Sequence, residues 1–493
     1  MEKRITCFIP FSDNESIVCS LDSLKMSGVV DKIVIVTKDE TYPDYSGPDV
    51  MFLRSEGFAA TATLKMMSDL STGDFALVYS KTFPLDLGKF ALNRMMQVCN
   101  DTGAGMVYSD YYENKNNRLS PHPLIDYQEG SLRDDFNFGS VTLFRRSAFS
   151  EACNQMTQEY RFAGLYDLRL KVSRNYSIVH IPEMLYTEIE PDLRKSGEKQ
   201  FDYVDPKNRS VQIEMELACS DHLKKVNAWL KPQFREIDFD TEKFDFEASV
   251  IIPVRNRVTT IGDAIKSVLS QETKFNFNLI VIDNFSTDGT SDIIQSFAET
   301  DARVVHIIPE RYDLGIGGCW NEGIFSRKCG KFAIQLDSDD LYIDNSVITR
   351  IVEAFYDQKC AMVVGSYKMV NFNLEDIPPG LIDHREWTPE NGRNNALRVN
   401  GLGAPRAFYT PVIRSIRVPN VSYGEDYALG LAISRHYRIG RIYDPLYLCR
   451  RWEQNSDAAL DVYRMNAHNH YKDKIRTIEL LSRKQLLKET ENN

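Results

Sequence analysis

Three acids crowd the end of one apolar run, Phe332-Ala333-Ile334-Gln335-Leu336-Asp337-Ser338-Asp339-Asp340. Carboxylates this close repel one another. A hard divalent cation with oxygen ligands, Mg2+ or Mn2+, relieves the repulsion, and the same acids could otherwise cap the helix expected from residue 345 onward. An EF-hand is excluded, because Tyr342 and Ile348 fall where that loop needs its Gly and its last Glu.

The run itself is short and β-compatible, so it reads as a buried strand whose C-terminal tip presents Asp337 and Asp339 together. Upstream, the strand Val250-Ile251-Ile252 leads into Pro253-Val254-Arg255-Asn256 and then a helix with Ile261, Ala264, Ile265, Val268 and Leu269 at helical spacing. Another strand, Leu279-Ile280-Val281-Ile282, runs into the turn-rich Asp283-Asn284-Phe285-Ser286-Thr287-Asp288-Gly289-Thr290. Strands alternating with helices predict an α/β chain with a largely parallel, doubly wound sheet.

The same syntax occurs earlier, from the strand beginning at Ile5 to the apolar strand ending at Tyr79, so the chain reads as two tandem copies of one domain. Later landmarks repeat in order. Gly139-Ser140-Val141-Thr142-Leu143-Phe144 parallels Gly403-Ala404-Pro405-Arg406-Ala407-Phe408, Tyr166-Asp167 parallels Glu425-Asp426, and Leu185-Tyr186 parallels Leu446-Tyr447. The expected organisation is a first domain over 1–205, a helical connector and charged linker over 206–246, a second domain over 247–455 and a mixed-charge helical tail over 456–493. Residues 371–400, which include Trp387, are too irregular for a plain helix and predict a long loop of the kind that often binds ligands.

Composition narrows the function. The 493 residues carry a net charge of −11 with Lys and Arg dispersed, which argues against a nucleic-acid surface. Nine cysteines without a C-x-x-C pair argue against a disulfide frame or zinc. No stretch approaches the roughly 20 apolar residues of a membrane span, and the N-terminal apolar run is too short for a signal peptide's core. The expectation is a cytoplasmic protein, either free or peripheral at the membrane.

Taken in order, Ser249-Val250-Ile251-Ile252-Pro253, Val281 through Thr290, Asp337-Ser338-Asp339-Asp340 and Glu425-Asp426 resemble the motifs of the family 2 glycosyltransferases with the GT-A fold, over about residues 248–452. The resemblance implies two tandem GT-A-like (nucleotide-diphospho-sugar transferase) domains and an inverting, metal-dependent transfer of a sugar to a glycan or glycoconjugate hydroxyl. It makes Pro253, Val254 and Arg255 a diphosphate loop, Asp283 a contact to base or ribose, Asn321 a donor contact in the glycine-rich helix start, and Asp337 a sugar or second metal contact. Asp339 would bind the metal directly. Asp426, beside Glu425, would be the general base; Trp387, Arg451 and Trp452 would lie on the acceptor side, Trp387 stacking on a sugar ring or anchoring its loop and the other two closing over diphosphate or sugar. UDP-sugars lead as donors by family frequency, with GDP-sugars as the other option. Asn284 and Phe285 depart from the family's usual acid and small residue, which puts the base in doubt.

The first copy has Tyr79-Ser80-Lys81-Thr82 where the second has its acids, Thr37-Lys38-Asp39 in place of the base-binding turn, and only Asp167 of the later acid pair. It reads as a degenerate GT-A-like domain that scaffolds the enzyme or holds acceptor, with a metal-independent second active site built on Asp167 as the alternative. Two other functions compete for the whole chain. A sugar-nucleotidyltransferase would need a glycine-rich basic first loop, and a non-catalytic glycan-binding scaffold would have lost the acids of the second copy as well.

Overall fold

The computed structural model describes residues 4–491 apart from 12, 39–46, 190–207, 386 and 453–459. Asp39 and the expected domain boundaries at 205/206 and 455/456 therefore lie outside the described residues. The chain clusters into two compact units, one of residues 1–196, 210–227 and 460–477, the other of 197–209, 228–459 and 478–493.

The first unit is built on a seven-stranded sheet. From one edge its order is Ile178–Ile181, Met106–Ser109, Val141–Arg145, Phe75–Tyr79, Ile5–Pro10, Val30–Thr37, Val50–Arg54. Successive side chains of these strands enter opposite cores. Cys7, Ile9, Ile33, Ile35 and Leu77 share one apolar cluster with Leu21 and Leu92, whereas Phe8, Val34, Val36 and Val78 share another with Leu64, Phe149 and Leu168. Period-two alternation with both faces apolar is what a parallel sheet between two helix layers requires. Each such side chain, fully buried, contributes about 1.5–3 kcal/mol. The Val50–Arg54 strand is not among the sequence expectations although Val50-Met51-Phe52-Leu53 is a continuous apolar run; it forms the half-buried edge of the sheet.

Helix Arg209–Lys225 joins this unit through Glu214, which accepts hydrogen bonds from the backbone N–H groups of Arg161, Phe162 and Ala163 at 2.7–3.2 Å. These donors lie at the start of helix Gly164–Asn175, where a carboxylate is favoured by unpaired N–H groups and the helix dipole. Asp473, on the long helix Val462–Glu491, is fully buried here and accepts from the Ser131 hydroxyl at 3.0 Å.

The second unit carries a nine-stranded sheet, and seven of its strands repeat the first sheet's order: Ile439–Arg450, Met362–Val370, Arg406–Tyr409, Phe332–Gln335, Ala248–Val254, Phe277–Asp283, Val304–Ile307. The pairing senses repeat as well. In each sheet the third strand in this order is antiparallel to both neighbours and the remaining pairs are parallel. Even the register repeats, with Phe144 opposite Ala76 and Phe408 opposite Ala333. The protein is thus an α/β chain with one sheet topology used twice.

Residues 371–400 are not a lid. They contain the strand Asp376–Ile382, antiparallel to Met362–Val370, and the short helix Gly392–Asn395, with residues 392–399 buried. Pro378-Pro379 hides that strand from sequence reading, because proline lacks the N–H a ladder uses, yet the strand pairs only with Met362–Val370 and tolerates it.

Candidate active site

In open α/β sheets, ligands sit outside the C-terminal ends of the parallel strands, and in the second unit the acidic residues gather at those ends. Asp337 and Asp339 follow the strand Phe332–Gln335. They alternate in burial with Ser338 and Asp340, so the first two are half-buried while Ser338 and Asp340 point inward. Asp340 accepts from the backbone N–H of Arg450 at 2.8 Å, which makes it a structural residue of the tip.

The tip is fastened at several points. The backbone N–H of Asp337 donates to the Tyr447 hydroxyl at 3.0 Å, and Gln335 Nε2 donates to Asp337 Oδ1 at 2.9 Å. Trp452 Nε1 donates to Asp339 Oδ2 at 3.3 Å, which places this expected acceptor-site residue against the expected metal ligand. Arg451, also expected at the acceptor side, is half-buried, and its backbone N–H donates to the Val370 carbonyl at 2.8 Å.

Burial, with the neighbouring Asp339 carboxylate adding to it, raises the pKa of Asp337 above the usual carboxylate range even though Arg406 and Gln335 oppose the rise. Asp340 is pushed well above that range by burial and then by Asp339 and Asp337. The tip therefore holds more negative charge than its protein partners neutralise. An oxygen-only donor set with unrelieved charge fits a hard divalent cation. Among the described residues no group of three His, Cys, Asp or Glu is placed to hold a metal. Asp337 and Asp339 suffice only in the manner of sites completed by substrate phosphates and water.

Glu425 and Asp426 open the helix Glu425–Ser434 after Gly424, whose φ of 79° is left-handed and suits glycine. Asp426 forms an ion pair from Oδ2 to Arg406 Nη1 at 2.5 Å, and its Oδ1 accepts from the Tyr427 N–H at 2.7 Å. An opposite charge at this distance favours a carboxylate's ionised form. Glu425 behaves otherwise: burial, and then repulsion from Asp426, pushes its pKa up to about 8, so it keeps its proton at neutral pH. Of the two acids, the ion-paired Asp426 is the one suited to accept a proton.

Several of the expected site residues are engaged within the protein itself. Asp283 is fully buried. Its carboxylate accepts from the Ser286 N–H at 3.0 Å and from the Ser291 hydroxyl, and His306 Nε2 lies 3.5 Å away. Burial opposes its charge, but these partners outweigh burial and hold its pKa below the usual range. Enclosed in this way, it braces the loop and offers no surface to a base. Asn321 spends both ends of its amide on Val418, donating to the carbonyl at 2.7 Å and accepting from the N–H at 3.0 Å, so it is a clamp and not a donor contact. The glycines near it serve packing too, since a Cβ on Gly317 would collide with the Pro419 carbonyl. Trp387 is fully buried with the Arg441 guanidinium 4.9 Å above its ring, which rules out stacking on a sugar in this arrangement and makes it an anchor. Finally, Pro253 and Val254 belong to the strand Ala248–Val254, paired with Ile282 and Asp283, and Val254 is buried. Only Arg255, exposed just beyond the strand, can reach outward as a diphosphate ligand would require.

Two features escape sequence reasoning. Phe285, at φ 59°, stacks on Tyr312 with ring centroids 4.1 Å apart, and Tyr312 is 81% exposed. Arg406 is a cation of the site, paired with Asp426. The signal for it lay in the repeated landmarks, where Thr142 holds the same place in the copy that lacks the acids.

In the first unit the shared register sets Ser80, Lys81 and Thr82 against Asp337, Ser338 and Asp339. Asp167 is 1% exposed and bound to Lys171 Nζ at 2.6 Å, one turn along its own helix. At 1% exposed, against 25% for Asp426, this carboxylate is far less accessible than its counterpart in the second unit.

Comparison with known proteins identifies the family. The family model described as glycosyl transferase family 2 matches residues 249–418. The UDP-Glc:alpha-D-GlcNAc-diphosphoundecaprenol beta-1,3-glucosyltransferase WfgD of Escherichia coli is 32% identical over 202 residues, 40% of this chain and 74% of that protein. The GalNAc(5)-diNAcBac-PP-undecaprenol beta-1,3-glucosyltransferase of Campylobacter jejuni is 32% identical over 106 residues, 22% of this chain and 34% of that protein. The chain spans about a third, or less, of the length of that relative and several others. Among solved structures, TarS 1-349 of S. aureus in complex with UDP-GlcNAc aligns with a TM-score of 0.37 at 21% identity, over 48% of this chain and 72% of that one. With the family match lying across the second unit's sheet and a relative 32% identical over 74% of its own length, the chain belongs to glycosyl transferase family 2.

Proposed function

We propose that the second unit transfers a sugar from a nucleoside diphosphate donor to a hydroxyl of a glycan or glycoconjugate, by a single displacement that inverts the anomeric centre. What carries the reading is one observation: Arg406 ties Asp426, by an ion pair of 2.5 Å, to the strand beside the one that bears Asp337 and Asp339. That places a candidate base and a candidate diphosphate site together at the ligand-binding edge of one sheet.

In this reading Asp426 accepts the proton of the acceptor hydroxyl as the hydroxyl attacks, a role worth about 10²–10⁴-fold. Asp337 and Asp339 would hold a divalent cation, Mg2+ or Mn2+, which when bound supplies charge neutralisation for the departing diphosphate. Arg255 pairs with the diphosphate from the loop side. Recognition of the base falls to Phe285 and Tyr312, whose stacked rings stand beside Asn284, while Asp283 keeps the loop in shape.

The relatives named as glucosyltransferases acting on diphosphoundecaprenol substrates support UDP-glucose as donor and a polyprenyl-diphosphate-linked glycan as acceptor. Such an acceptor lies at a membrane surface. Among the described residues no helix is long and apolar enough to cross one, so peripheral association is the mode proposed. The first unit, with its acids replaced, takes a scaffolding or acceptor-holding role as a degenerate copy.

Calorimetric titration with UDP, GDP and TDP, each with and without Mn2+, tests the donor site. UDP is expected to bind in the presence of Mn2+ and far more weakly in its absence. Failure of all three to bind with metal present would remove the basis of the reading.

A further inference from the structure

We infer that Arg406 is a positioning residue that fixes the Asp426 carboxylate for proton abstraction and locks it to the donor side of the site. This rests on the reading of Asp426 as general base. The geometry is a continuous polar chain. Arg406 Nη1 contacts Asp426 Oδ2 at 2.5 Å and donates to the Gly403 carbonyl at 3.1 Å. The Arg406 backbone N–H donates to Gln335 Oε1 at 3.2 Å, and Gln335 Nε2 reaches Asp337 Oδ1 at 2.9 Å. Asp337 is in turn fastened through its N–H to Tyr447. One side chain and one amide thus join the base to the strand tip carrying the expected metal ligands.

The two Asp426 oxygens are held from different elements, Oδ1 by the Tyr427 N–H and Oδ2 by Arg406. Two such contacts fix both the position and the rotation of a carboxylate, and because each carboxylate oxygen has two lone pairs they are compatible with an incoming hydroxyl. The guanidinium is well sheltered, with 17% of its side chain exposed, and acids surround it: Asp426, Asp337 and Glu425. A rigid fork in a sheltered site holds a geometry that a flexible ammonium does not.

The first unit supplies an internal contrast. Its register places Thr142 at the position of Arg406, Val78 at Gln335 and Ser80 at Asp337. Asp167, the counterpart of Asp426, is held instead by Lys171 from its own helix at 2.6 Å. The whole cross-link is missing where the acids of the strand tip are missing. An arginine serving only the stability of this sheet topology would have no reason to disappear with them.

The test compares Arg406→Met, Arg406→Lys, Asp426→Asn and the double variant Arg406→Met/Asp426→Asn, using UDP-glucose, Mn2+ and N-acetylglucosaminyl diphosphoundecaprenol as acceptor. Binding of UDP with Mn2+ is followed separately by calorimetry, and folding by thermal melting. Arg406→Met should lower kcat by about 10²-fold with UDP affinity within about twofold of the parent. The double variant should be no slower than Asp426→Asn alone, because both substitutions disable one unit. Added guanidinium ion should restore part of the Arg406→Met rate, which no general loss of structure would permit, and Arg406→Lys should lie between parent and Met. Unchanged kcat in Arg406→Met, with Asp426→Asn inactive, would overturn the positioning role and leave the base intact. Full activity in Asp426→Asn would overturn both. Multiplying rather than shared losses in the double variant would also reject the coupling.

Discussion

Asp426→Asn is expected to bind UDP with Mn2+ as the parent does and to lose about 10²–10⁴-fold in transfer rate. An amide of the same shape keeps the hydrogen bond from the Tyr427 N–H at 2.7 Å but cannot take a proton from the acceptor. It also leaves Arg406 without its closest anion, so donor binding is the control that separates lost chemistry from a disordered site. Glu425 is a poor substitute, because burial, the larger cause of its raised pKa, persists in the variant and favours its protonated form. Removal of the Asp426 charge lowers the Glu425 pKa, so a small residual activity that rises with pH is expected in this variant, with Glu425 as its source. Rapid-quench assay of transfer together with UDP titration checks both parts. Unimpaired turnover would show that the base lies elsewhere.

Asp339→Ala carries the second large effect, and it has two faces. Metal-dependent strengthening of UDP binding should be lost by ~10-fold or more, since removing even outer partners of a metal site costs about that much. Stability without metal should not fall, and should rise. Burial already raises the pKa of Asp337 and Asp340, and the Asp339 charge raises both further, so deleting it relieves two buried neighbours at once. The sign follows from linkage: acids whose folded pKa is raised cost stability as pH rises through the interval between unfolded and folded values, and lowering those values shrinks the cost. Melting curves at neutral pH in chelator, beside titrations with Mn2+, measure the two faces separately. A variant that melts lower and still binds UDP in a metal-dependent way would identify Asp339 as a structural residue. Loss of function with a gain in stability marks a group kept for its chemistry.

The parts of this fold legible in the sequence are those written in short periods. Buried parallel strands appear as apolar runs, whereas the alternation that sets Asp337 and Asp339 apart from Asp340 arises beyond the strand, in a turn closed by the Asp340 N–H on the Asp337 carbonyl at 3.2 Å. The repeated landmarks were legible because a single topology places Gly139 and Gly403 just before the corresponding antiparallel strands, Val141–Arg145 and Arg406–Tyr409, of two sheets. What was not legible depends on partners far along the chain. Asp283 looks like an open ligand until His306, on the neighbouring strand, and Ser291 close over it. Asn321 looks like a donor contact until Val418, 97 residues on, occupies both ends of its amide. Trp387 in an irregular stretch suggests a sugar platform, yet Trp387 and residues 392–399 are buried and the ring lies under Arg441.

Arg406 shows the same limit from the other side. In sequence it is one residue of a modest motif, and only the antiparallel pairing of Arg406–Tyr409 with Phe332–Gln335 sets it beside the acids. Comparison of the two copies within the chain makes its role visible, because Thr142 and Lys171 show what the topology uses when no acid cluster has to be served.

The most direct test of the central claim is proton NMR of the product formed from UDP-glucose and N-acetylglucosaminyl diphosphoundecaprenol, run with Mn2+ and with chelator. The account predicts a new β-linked glucose, formed from the α-linked donor by one displacement, and its absence under chelation. An α-linked product, or equal transfer without metal, would contradict it.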